Sequence, residues 1–83
     1  MSALGNTIII KMLQLPVEVR KDGYVYQFGF IRSDPRACTM EIKNGDKYVY
    51  DTTIEGINNG DKLTIYPDDE WPNAPIINLE FYY

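Results

Sequence analysis

The sequence predicts an all-β fold, a small antiparallel β-sandwich or barrel of about six to seven short strands. Three features lead there. Apolar residues recur at every second position along most of the chain, the period of a half-buried strand. Asp22-Gly23 and Asn44-Gly45, dipeptides that tolerate positive φ, stand between such runs as two-residue hairpin turns. No stretch of about twelve residues, the length a stable helix needs, is free of turn signals and carries an apolar stripe at i, i+3, i+4 and i+7.

Seven runs read as strands, in order 7–13, 16–20, 24–32, 38–43, 47–51, 62–66 and 76–82. The first contains Thr7-Ile8-Ile9-Ile10, apolar and β-branched without alternation. Such a run suits a strand buried on both faces, and that is the preferred reading. The other reading is an edge that pairs with a neighbouring subunit, because a long apolar edge left open promotes aggregation. In the second run Val17 and Val19 alternate with Glu18 and Arg20. The third places Tyr24, Tyr26, Phe28 and Phe30 on one face. Met40 and Ile42 alternate with Glu41 and Lys43, and Leu63 and Ile65 with Lys62 and Thr64. The last run sets Ile77, Leu79, Phe81 and Tyr83 against Ile76, Asn78, Glu80 and Tyr82. Ser33-Asp34-Pro35-Arg36 reads as a wider turn, and Asn58-Asn59-Gly60-Asp61 as another.

At 83 residues the chain is expected to be one β domain, 1–83, with residues 1–6 a flexible N-terminus and 67–75 a Pro-rich acidic loop. A chain this short, without a disulfide or metal ligands, gains from oligomerisation. Net charge is −4. Residues 1–50 hold seven bases and five acids, net +2, whereas residues 51–83 hold one base and seven acids, net −6. An acidic chain is a poor match for phosphate backbones, so no nucleic-acid partner is expected. No run approaches the roughly 18 apolar residues of a membrane-spanning helix, and no membrane partner is expected.

Catalytic readings are disfavoured by residue type. Without histidine there is no imidazole base and no Ser-His-Asp or Cys-His system. The lone Cys38 makes no internal disulfide and reads as a small buried hydrophobe. Neither a metal site nor a cofactor is expected. Asp68, Asp69 and Glu70 supply oxygens of the kind Ca²⁺ or Mg²⁺ prefers, but adjacent residues rarely converge on one ion, and a solvated acidic loop is the better reading. Trp71 beside them is either an anchor for a partner's pocket or a lid over one end of the core. The aromatic row of residues 24–30 lacks the Lys and Arg of a base-stacking platform and reads as core. Glu18, Glu41, Glu55 and Glu80 fall mostly on outward faces, with little room for the cleft that paired-carboxylate hydrolysis needs.

Taken in order, several segments resemble a known family. They are Pro16-Val17-Glu18-Val19, Asp22-Gly23-Tyr24 with Tyr26, Phe28 and Phe30, the strand-turn-strand from Met40 to Tyr50, Leu63 to Pro72 with its Asp68-Asp69-Glu70, and the terminal Leu79-Glu80-Phe81-Tyr82. The chain resembles the baseplate plug proteins of contractile-tailed phages, described in cyanophages. The resemblance implies a structural virion component of the tail baseplate, made in the host cytoplasm, non-enzymatic and acting by protein–protein association. Its implied partners are other tail proteins (tube, hub or wedge) and further copies of itself. No catalytic residue is carried over. Candidate partner-contact residues are Ile8, Ile9, Ile10, Asp68, Asp69, Glu70, Trp71 and Tyr82. The rival expectation is a small acidic phage-encoded inhibitor of a host nuclease or defence protein, using carboxylates against a basic cleft; a sheet-face ligand-binding module is a further one.

Overall fold

The computed structural model describes residues 7–67 and 71–83. Residues 1–6, expected to be a flexible N-terminus, and Asp68, Asp69 and Glu70 lie outside the described residues. Seven strands are described: β1 (Thr7–Lys11), β2 (Val17–Lys21), β3 (Tyr24–Ile31), β4 (Asp34–Asn44), β5 (Lys47–Ile54), β6 (Lys62–Ile65) and β7 (Ile77–Tyr82). They form a four-stranded sheet in the order β2-β3-β4-β5 and a three-stranded sheet in the order β1-β7-β6. The predicted all-β sandwich is the observed class.

The four-stranded sheet is an antiparallel meander because each of its connections is a tight turn. Asp22 (φ 54°) and Gly23 (φ 85°) close β2 onto β3 with Lys21 opposite Tyr24. Positive φ at both central residues matches the right-handed twist of the strands they join. At the β4–β5 turn the loop is Gly45-Asp46, one residue later than the Asn44-Gly45 expected, and Asn44 pairs with Lys47. The register slips between Ile42, opposite Tyr50, and Lys43, opposite Tyr48, leaving Val49 as the extra residue of a bulge.

β4 begins four residues before the expected 38. The turn after β3 is only Arg32-Ser33, and Asp34 already pairs with Ile31. Phe30, however, pairs with Cys38, so Pro35, Arg36 and Ala37 have no opposite residues on β3. Pro35 is tolerated there because a bulge asks no ladder N–H of it. The Asp34 carboxylate accepts the Arg36 N–H at 2.9 Å and holds the bulge's shape.

The three-stranded sheet corrects the antiparallel expectation in one respect. β1 runs parallel to β7, with Ile8 opposite Leu79 and Ile10 opposite Phe81. The two strands lie at opposite ends of the chain, so no hairpin dictates their direction. β6 pairs antiparallel with β7, and the contact extends into the Asn58–Asp61 turn through Gly60 N–H to Phe81 O, 2.7 Å, and Phe81 N–H to Asp61 O, 2.9 Å.

The core lies between the inner faces. Ile8, Ile10, Ile77, Leu79 and Phe81 from one sheet form a single buried cluster with Tyr26, Phe28, Cys38, Met40 and Ile42 from the other. Tyr26 and Phe28 are thus core, as the aromatic row suggested, whereas Phe30 at the end of the same face is 53% exposed. Ile57 crosses between the sheets and is pinned by its N–H to Arg36 O at 2.8 Å.

Cys38 is fully buried, and burial pushes its thiol from an ordinary value near 9 up to about 11. The fold therefore favours the neutral thiol. That contribution is complete below pH 9 and is lost as pH rises through about 11. Between pH 9 and 11 the wild-type chain is expected to lose about 2 kcal/mol more stability than Cys38→Ala. Urea unfolding at both pH values checks this; parallel pH profiles would show that the thiol ionises freely in the fold.

Candidate interaction surfaces

Strand β1 is an edge, with β7 as its one sheet neighbour among the described strands. Its burial alternates: Ile8 and Ile10 are buried and Ile9 is 57% exposed. The expectation of burial on both faces is corrected. A strand in a two-layer sandwich has only one face toward the core, and three consecutive isoleucines cannot all take it. Of the three candidates, Ile9 alone offers its side chain to a partner.

On the outer face of the three-stranded sheet, Ile9, Glu80 and Lys62 make one cross-strand row. Tyr82 shares that face, and its hydroxyl donates to Glu80 Oε1 at 2.6 Å. This hydrogen bond to the carboxylate holds the Tyr82 phenol above its usual value. Thr64 Oγ1 donates to Asn78 Oδ1 at 2.9 Å. Ile9 is therefore an apolar island at the rim of a polar, hydrogen-bonded face.

Trp71 takes the second of its two expected roles. It is 4% exposed, packed edge-on against Tyr24 at 4.9 Å and 65°, and near Tyr50 at 6.5 Å. Its indole N–H points at the Tyr24 hydroxyl, 3.4 Å away. Tyr24 and Tyr50 belong to β3 and β5, so the ring closes one end of the core across the four-stranded sheet. As placed, it leaves no indole free to enter a partner's pocket.

The outer face of the four-stranded sheet carries a row set by register: Glu18, Gln27, Glu41 and Asp51 lie side by side on β2, β3, β4 and β5. Glu18 accepts from Gln27 Nε2 and from Arg20 Nε, each at 3.3 Å. These bonds, the one from Gln27 first, hold its carboxyl below the usual range. Beside the row lies an open depression of about 380 Å³ whose wall includes Gly29 and Thr39. A Cβ on Gly29 would stand 3.0 Å from Thr39 Oγ1, which accepts the Gly29 N–H at 3.2 Å. The sequence marked Glu18 and Glu41 as outward; the Asp22-Gly23 turn sets Glu18 opposite Gln27, whereas the bulge between β3 and β4 sets Gln27 opposite Glu41, which no turn in the sequence announced.

Two features had no flag in the sequence. The Tyr83 hydroxyl lies 2.9 Å from Ile57 O and 3.2 Å from Pro35 O, where its single proton serves two carbonyls. Arg36 donates to the same Ile57 O at 3.3 Å and to Asn58 Oδ1. This clasp ties the β4 bulge, the β5–β6 crossover and the chain's last residue together. The second feature is a cavity of about 310 Å³ in the seam between the sheets, near the start of β1 and the end of β2. Ile8, Ile76 and Ile77 line it with Lys21, Asp22 and Tyr26. Among the described residues, no group of three or more Cys, Asp or Glu is placed to hold a metal ion.

Trp71→Ala is expected to destabilise the fold by about 3–5 kcal/mol, because it empties the space between Tyr24 and Tyr50. Trp71→Phe should recover part of this. Denaturant titration followed by circular dichroism measures both, and a loss within about 0.5 kcal/mol for the alanine variant would remove Trp71 from the core.

Comparison with family models, with curated proteins and with solved structures found no match for this chain.

Proposed function

We propose that this chain works by association, as a structural, plug-like component of a contractile phage tail baseplate present in multiple copies. The observation that carries the reading is the state of the β1 edge. Natural edge strands are guarded by charge, brevity, proline or a bulge. β2 carries Glu18, Arg20 and Lys21, β5 carries Lys47 and Asp51, and β6 is only four residues long with Lys62 at its start. β1 has no charge before Lys11, and its middle residue turns an isoleucine outward. Adding a strand from a second copy would satisfy that edge and cover Ile9. The family resemblance of residues 16–82 supplies the setting, a tail baseplate, with tube, hub or wedge proteins as neighbours.

The inhibitor reading has one observation in its favour, the carboxylate row of Glu18, Glu41 and Asp51 on one sheet face. A basic cleft is the surface that would meet it.

Ile9→Lys is the direct test. The side chain is exposed, so the variant should keep its stability within about 0.5 kcal/mol. Multi-angle light scattering should show self-association of the wild type and a single 9.6 kDa chain for the variant. Immunogold electron microscopy should place the wild type at the tail baseplate. A wild type that stays a single chain at high concentration and is missing from tail particles would sink the proposal. Recovery of one nuclease as its partner would favour the rival.

A further inference from the structure

We propose that the seam cavity binds a small zwitterion with an apolar body, a ligand of the α-amino acid class. This does not depend on the assembly role above; it concerns a different part of the surface.

Tyr26 carries the argument. It sits on the inner face of β3 and is 3% exposed. Among the described residues its hydroxyl has no hydrogen-bond partner, yet it is not sealed from space, since no buried side-chain oxygen or nitrogen is without a partner. Tyr26 lines the seam cavity, and we infer that this is the space its hydroxyl meets. Buried polar groups are ordinarily satisfied, so a nearly buried hydroxyl facing an open pit is a position for a ligand oxygen or for water. Burial and the Asp22 charge push the phenol above its usual value, so it remains a protonated donor at neutral pH.

The walls decide the ligand class. Ile8 and Ile77 are buried and make an apolar floor, and Ile76 extends it to the rim. Lys21 ends β2 and Asp22 begins the turn, and both line the same cavity. Neither enters an ion pair: the one pair among the described residues joins Arg20 and Glu18. A purely anionic ligand would meet Lys21 favourably and Asp22 unfavourably, and a cation the reverse. A molecule bearing both charges suits both. Its carboxylate would take Lys21 and the Tyr26 hydroxyl, its ammonium Asp22, and its side chain the isoleucine floor. The volume of about 310 Å³ is at the small end of ligand sites, about 300–1,000 Å³, and suits a molecule of this size.

The test uses the whole chain with L-leucine and L-phenylalanine as probes. Each is compared with its analogue lacking the ammonium (4-methylpentanoate, 3-phenylpropanoate) and its analogue lacking the carboxylate (3-methylbutylamine, 2-phenylethylamine). Nitrogen–proton correlation spectra should show saturable shifts at residues 8, 21–26 and 75–78. At least one amino acid should bind about tenfold more tightly than either of its one-charge analogues. Tyr26→Phe should weaken that binding about three- to tenfold while leaving Tm unchanged or higher, because no contact of the fold is removed. Lys21→Met and Asp22→Asn should each erase the preference for the zwitterion. Absence of saturable shifts up to about 20 mM of both amino acids, weaker than any Kd worth calling specific, overturns the proposal. So does equal binding of the one-charge analogues. A fall in Tm of more than about 4 °C in Tyr26→Phe also overturns it, since the hydroxyl would then have a partner within the fold.

Discussion

The structure depends on one constraint: two sheets of unequal width must bury their inner faces against each other with little else to hold them. The parallel register of β1 and β7 is the hinge of this arrangement. It sets Ile8 beside Leu79 and Ile10 beside Phe81, so four large apolar side chains face Tyr26, Phe28, Met40 and Ile42. A shift of one residue would turn Ile9 inward and both its neighbours outward. No disulfide helps, since Cys38 is free and buried. The domain is small enough that such a slip would remove much of its apolar burial.

The same alternation creates the exposed edge. A strand of three isoleucines at the end of a sheet must turn one of them away from the core. Under the proposed association, that geometry links stability to assembly: Ile8 and Ile10 are buried and anchor β1, while Ile9 on the same strand stays exposed. It also separates the two roles by residue. Changes at Ile8 or Ile10 would act on the fold, while a change at Ile9 acts on the surface. The interior row of Phe28, Met40 and Thr52 and the exterior row of Glu18, Gln27, Glu41 and Asp51 divide the same way across the other sheet.

Much of this was legible in the chain. The seven runs read as strands each correspond to an observed strand, the first through its β-branched run rather than through alternation, and Asp22-Gly23 marked its turn to the residue. The misreadings share a physical origin. Thr7–Ile10 has no period, so pattern alone could not say which isoleucines are inside. The early start of β4 was hidden by Pro35, a strand breaker that a bulge accommodates. β5 continues through Thr52 and Thr53 because its partner β4 continues, a tertiary cause that its own residues do not announce. Of the eight contact candidates, Ile9 and Tyr82 lie on the outer face, Ile8, Ile10 and Trp71 are in the core, and Asp68, Asp69 and Glu70 lie outside the described residues. Trp71 was undecidable from its loop, since only the approach of Tyr24 and Tyr50 from two other strands gives it a place to go.

The seam cavity follows from how the sheets are joined. β1 and β2 are edges of different sheets, connected directly through the 3-10 turn Met12–Gln14 and the short link to Val17. That connection binds the two edges at one end only. At the other end β1 begins, β2 finishes and β7 enters, and no backbone ladder crosses the gap among the described strands. Side chains must fill it, and there the sequence places one lysine, one aspartate and a core tyrosine whose hydroxyl has no hydrogen-bond partner among the described residues. A phenylalanine at position 26 would serve the core equally well. Among the described residues the phenol adds no hydrogen bond to the fold, and that is why the proposed ligand is sought in the cavity Tyr26 lines.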